Sequence, residues 1–97
     1  MSMKVVLEFQ TTADQVEAVK DLLRTVLPDT RGYEGFESLT VHQNDDTPTS
    51  FLLWEQWATR GNYEAYLAWR TETGVLDKLV AMLTEPPTIR FFNHVGV

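Results

Sequence analysis

The sequence predicts an α+β fold. It is a ferredoxin-like β-α-β-β-α-β sandwich, with a four-stranded antiparallel sheet and its helices on one face. Three observations predict it. Four runs alternate with a period of two, at residues 3–10, 36–43, 49–58 and 88–95. Apolar residues recur at helical spacing after the first run and again after the third. Only the polar turn Asn44-Asp45-Asp46-Thr47-Pro48 separates the second run from the third, which makes that pair an antiparallel hairpin.

The first strand puts Met3, Val5, Leu7 and Phe9 on one face, which faces the helices; Lys4, Val6, Glu8 and Gln10 take the other. Thr12-Ala13-Asp14-Gln15 fits a capping box at the start of a helix. Val16, Val19, Leu22, Leu23, Val26 and Leu27 form its buried stripe. Pro28 ends or kinks it, and Gly32 and Gly35 mark the exit. The second strand sets Leu39 and Val41 against Phe36, Ser38, Thr40 and His42. In the third, Phe51, Leu53, Glu55 and Trp57 share one face, and Leu52, Trp54 and Gln56 the other.

Asn62 or a neighbour caps the next helix, residues 63–70, which carries Tyr63, Tyr66, Leu67 and Trp69. A polar patch at residues 71–74 separates it from a second short helix with Val75, Leu76, Leu79, Val80 and Leu83, stopped by Pro86-Pro87. The last strand sets Ile89, Phe91, Asn93 and Val95 against Arg90, Phe92 and His94. Both faces of the third and last strands are therefore apolar, while the helices suffice for one. Val6, Leu52, Trp54 and Phe92 predict that a second copy covers the open face, as a homodimer.

The 97 residues make a single domain spanning 1–97, and 43% hydrophobic content supports a real core. A net charge of −6 with scattered basic residues argues against nucleic acid and anionic membranes as partners. No apolar run approaches the ~20 residues of a membrane span, and the first residues do not read as a signal peptide. The absence of cysteine excludes disulfides, thiol catalysis and cysteine metal sites, and fits a cytoplasmic protein. No phosphate-binding glycine loop or nucleophile motif appears, so no nucleotide cofactor is expected.

Several residues are candidates for chemistry. Glu55 is a general base if burial beside Trp57 raises its pKa; otherwise it is an ion-pair partner of Arg60 or Arg90, or bonds a backbone turn. Trp57 walls a pocket for a planar ligand or fills the core. Tyr63 and Tyr66, three residues apart on one helix, share a face and can donate to a carbonyl or phenolate. His42 is a second candidate proton acceptor. Neither it nor His94 has the company a metal site needs, so no metal is expected. Arg90 either holds an anionic substrate group or pairs with an acid.

Gly35-Phe36-Glu37-Ser38, the turn at 44–48, and Phe51-Leu52-Leu53-Trp54-Glu55-Gln56-Trp57 before a short helix resemble the antibiotic biosynthesis monooxygenase domain. This is a family of the dimeric α/β-barrel superfamily. The resemblance implies dimers with one pocket per subunit between sheet and helices. It implies oxidation of aromatic polyketides or quinols by molecular oxygen, without metal, flavin or haem. By position it assigns Glu55, Trp57 and Tyr63 to the pocket. Two asparagines used by characterised members correspond to Leu7 and Leu53, and Tyr66 stands where many members have histidine. A haem-degrading branch is disfavoured, since the helical segments contain no histidine.

Three functions are then expected in order. The first is a cofactor-independent oxygenase acting on a phenolic, quinol or anthrone-like aromatic, with Glu55 or a histidine as base. The second is a dimer that binds a small hydrophobic or aromatic molecule without turnover. The third is a non-redox isomerase or cyclase using acid and base alone.

Overall fold

A computed structural model describes residues 2–97. Its elements are β1 (Met3–Gln10), a single 3-10 turn (Ala13–Gln15), α1 (Val16–Arg31), β2 (Phe36–Gln43), β3 (Ser50–Trp57), α2 (Arg60–Glu72), α3 (Val75–Val80) and β4 (Thr88–Phe92). The four strands form one antiparallel sheet in the order β2-β3-β1-β4. Connection order and sheet order together are those of the expected ferredoxin-like sandwich.

Period-two alternation builds the core. Val5, Leu7 and Phe9 of β1 stand directly opposite Glu55, Leu53 and Phe51 of β3. All of these side chains point to the helix-covered face and are buried. Val19, Leu23 and Leu27 of α1 and Leu79 of α3 close over Leu7, Phe9, Leu39, Phe51 and Leu53. At the other end of the sheet a second cluster joins Val5, Trp57, Tyr63 and Tyr66. The hairpin turn is as expected: the Asn44 side-chain oxygen accepts from the backbone of Asp46 and Thr47, at 2.9 and 2.8 Å.

The structure departs from the sequence reading at six places. Thr12 makes no side-chain cap; its hydroxyl bonds Asp14 instead, and the 3-10 turn precedes the helix. Pro28 does not end α1; it lies inside the helix, which runs on to Arg31. Thr59, not Asn62, caps α2: its hydroxyl accepts from the Asn62 N–H at 3.0 Å and donates to the Asn62 side-chain oxygen at 2.8 Å. The last strand ends at Phe92, and α3 at Val80.

The sixth departure matters most for the site. A register shift between Phe36 and Ser38 inserts Glu37 as an extra residue on β2. Phe36 therefore turns to the helix face, away from Ser38, Thr40 and His42, and its ring meets Trp57 edge-on at 5.4 Å.

On the open face, Trp54 and Phe92 are 41% and 42% exposed. Val6 at its centre is only 4% exposed, because Trp54 and Arg90 stand opposite it on the two flanking strands. Arg90 pairs with Glu8 and lies over Phe92. Among the described residues no helix is long and apolar enough to cross a membrane.

Candidate active site

β3 and α2 build the site. Strand alternation sends Glu55 and Trp57 to the same side, and Thr59 then starts α2 at once. On α2, Tyr63, Tyr66 and Arg70 fall at i, i+3 and i+7 on the buried face. These side chains meet a cavity with about 60 Å³ of free space between sheet and helices. Glu55, Tyr63, Tyr66 and Arg70 are its polar wall; Leu7 and Leu53 from the sheet and leucines of α1 and α3 make the rest.

Glu55 is 3% exposed and ion-pairs with no base among the described residues. Arg60 pairs with Glu64 and lies over Phe91, and Arg90 pairs with Glu8 on the far face, so neither expected partner reaches it. Burial pushes its carboxyl up from 4.5 to about 7, and the Trp57 N–H, donating to Oε1 at 3.0 Å, holds it back in part. The group is thus poised to take or give a proton near neutral pH. Burial also pushes the Tyr63 phenol well up, reinforced by Glu55 and Tyr66 nearby. Tyr63 therefore stays neutral, able to donate a hydrogen bond.

Trp57 is fully buried. Tyr66, Phe36 and Tyr63 surround its ring at 4.9, 5.4 and 5.6 Å. It stands behind Glu55 and does not line the cavity, so it orients the carboxylate rather than presenting a free face.

The structure thus gathers Glu55, Tyr63, Tyr66, Leu7 and Leu53 around one cavity, with Trp57 in support. It does not bring in His42 or Arg90. Both project from the opposite face of the sheet, His42 bonded to Thr40 at 2.8 Å and Arg90 to Glu8. Strand parity decides this, since His42 is cross-strand from Leu52 and Arg90 from Val6. Two polar residues of the site were not singled out from the sequence, Arg70 and Thr30. Both are buried, and both bond the Tyr66 hydroxyl. The spacing of Arg70 from Tyr63 and Tyr66 is the signal that points to it.

The family model described as antibiotic biosynthesis monooxygenase matches residues 2–76. The chain belongs to the antibiotic biosynthesis monooxygenase family. No curated protein matches its sequence significantly. Among solved structures, Rv0793 from Mycobacterium tuberculosis superposes with a TM-score of 0.86 at 18% identity, over 100% of this chain and 98% of that one. SnoaB, a cofactor-independent oxygenase from Streptomyces nogalater solved as a mutant, gives 0.84 at 14% identity, over 99% and 95%. A monooxygenase from the gene ActVA-Orf6 of Streptomyces coelicolor, in complex with nanaomycin D, gives 0.83 at 21%, over 99% and 89%. At these identities the likeness is one of fold.

Proposed function

We propose that the protein is a cofactor-independent monooxygenase that oxidises a phenolic, quinol or anthrone-like aromatic with molecular oxygen. The observation that carries the reading is Glu55: a buried carboxyl without a counter-ion, pushed up to about 7 by burial, on the wall of a largely apolar cavity. Family membership and the cofactor-independent oxygenase SnoaB among the structural neighbours support the same reaction class.

In this reading Glu55 takes the acidic proton of the substrate. The resulting carbanion or phenolate gives an electron to dioxygen, and the radical pair combines into a peroxide. For an anthrone the peroxide loses water to leave a carbonyl, so one oxygen atom enters the product and the other leaves as water. Tyr63 donates to a substrate oxygen, Tyr66 stays bonded to Thr30 and Arg70 on the wall, and the leucines keep bulk water from the intermediate. The free space is well below the ~150 Å³ of a cavity that takes benzene. Admission of an aromatic therefore requires α3, which supplies Val75, Leu76 and Leu79 to the wall, to move outward. Gly74, in the left-handed region at φ +82° between α2 and α3, with open space where a Cβ would stand, is the point about which α3 would swing.

The open sheet face supports assembly as a homodimer, with Leu52, Trp54 and Phe92 against their counterparts. A second reading, a ligand-binding dimer without turnover, draws on Leu7 and Leu53. They are cross-strand partners on the cavity wall and offer no amide where the family resemblance leads one to look for asparagine.

The test is oxygen consumption with hydroquinones, naphthols and anthrones, measured against each compound's own autoxidation. Uptake above background that survives chelator and is lost in Glu55→Gln is the expected result. Anaerobic conversion of a substrate would replace the oxygenase with an acid–base enzyme. Binding without conversion of any of the panel would leave the ligand-binding dimer.

A further inference from the structure

Arg70 is 4% exposed, yet no carboxylate pairs with it among the described residues. Its Nε donates to the Tyr66 hydroxyl at 3.0 Å. Its Nη2 donates to the Val26 carbonyl at 2.6 Å and to the Thr30 hydroxyl at 2.9 Å. The guanidinium also lies over the Trp69 ring at 4.5 Å. These contacts tie α2 to α1 and use three of the five N–H groups. Both N–H groups of Nη1 remain without an acceptor among the described residues, and the residue lines the cavity.

A buried cation without a counter-ion is costly, and neutral hydroxyls and a carbonyl compensate it only in part. The one acid on the cavity wall is Glu55, which is not in contact with it. Burial raises the Glu55 carboxyl, so it serves as a proton acceptor and not as a counter-ion to Arg70. The cavity therefore keeps an excess of positive charge at its Arg70 end and a proton acceptor at its Glu55 end.

We propose that Arg70 is the ligand-recognition residue of this cavity: its Nη1 receives an anionic oxygen of the bound molecule, so the ligand is an organic anion. This rests on the reading of the cavity as the ligand site and narrows the substrate class. Tyr63, which burial keeps neutral, shares the cavity wall with both groups, and the set suits a flat molecule with acidic and anionic oxygens at separate positions. The anionic oxygen belongs either to a carboxylate substituent or to an ionised phenol.

Matched probes separate these sources, with binding measured under nitrogen so that turnover plays no part. The pairs are 2-naphthoate with 2-naphthamide, and 2,4-dinitrophenolate with 2,4-dinitroaniline. The wild type should prefer the anion of at least one pair by roughly tenfold or more, as a charge-assisted hydrogen bond implies. Arg70→Gln should reduce that preference to near parity while leaving the neutral probe within about twofold. Preference for naphthoate assigns a carboxylate, and preference for the phenolate assigns an ionised phenol. Equal binding of both members in both pairs would overturn the proposal.

Because Arg70 also ties two helices, Arg70→Gln could unfold. The wild type supplies an independent readout: in arginine-labelled protein the Arg70 Nε–H resonance should move with the preferred anion and not with its neutral partner. An unmoved resonance would equally overturn the proposal. Anion preference without oxygen uptake on any substrate removes the oxygenase and keeps Arg70 as the recognition residue. Uptake on a neutral quinol without anion preference does the reverse. Failure of all four probes to bind would overturn both.

Discussion

The indole of Trp57 donates to the carboxylate of Glu55 at 3.0 Å, within a single strand and from two residues away. This contact holds the carboxyl in one orientation while aromatic rings on α2 and β2 fix the indole itself. It also lowers the pKa of a group that burial raises. Its removal therefore has a predictable sign.

Trp57→Phe should move the rising limb of the pH–rate profile to higher pH. The base acts when ionised, and loss of the N–H donor destabilises the ionised form. Oxygen uptake against pH measures this. An unchanged or lowered midpoint would mean that the indole does not tune Glu55.

Glu55→Gln should abolish turnover and change how stability responds to pH. The folded-state pKa of Glu55 is raised, so between about 4.5 and 7 the native chain binds more protons than the unfolded one. Stability from this group is present below that window and falls as pH rises through it, by about 3 kcal/mol in all. Denaturant melts across the window should show the fall in wild type and its absence in the glutamine variant. The variant should then be the more stable protein at pH 8.

Gly35→Ala should lower stability by about 2–3 kcal/mol. Gly35 has φ +85°, and an added Cβ would lie 2.3 Å from the Asn62 side chain, which Thr59 holds in place. The Gly35 carbonyl also accepts from the Ala58 N–H at 2.7 Å, so the strain cannot relax without disturbing the start of α2. Thermal melting gives the answer; a change of under a degree would contradict this packing.

Trp54→Glu should turn a dimer into a monomer at micromolar concentration, as read by sedimentation. The side chain is far from the cavity, so the folded monomer should keep its ligand. If the variant stays dimeric, the second copy does not sit on the open sheet face.

Much of this was legible in the sequence because alternation and helical spacing report which way a side chain points. Glu55 and Trp57 share a face by parity alone, and Tyr63 and Tyr66 by the helical repeat. Phe36 was not legible: one inserted residue reverses parity, and nothing local in Phe36-Glu37-Ser38 announces the bulge. Arg70 was half legible. Its position on the tyrosine face follows from counting, but a charge at a helix end ordinarily reads as solvated. Thr30 was hidden for a different reason, since only the tertiary approach of α1 to α2 gives its hydroxyl the partners at Tyr66 and Arg70.

The small size of the cavity separates the two reactants. About 60 Å³ walled largely by leucine is ample for a diatomic gas and far too little for an arene. Small apolar species dissolve in such spaces more readily than in water, as xenon does in engineered cavities. Dioxygen can thus reside in the cavity as it stands, whereas an aromatic needs more room than the cavity offers. If the chain is an oxygenase, the scarce kinetic event is admission of the organic partner, and the oxidant is already inside when it arrives.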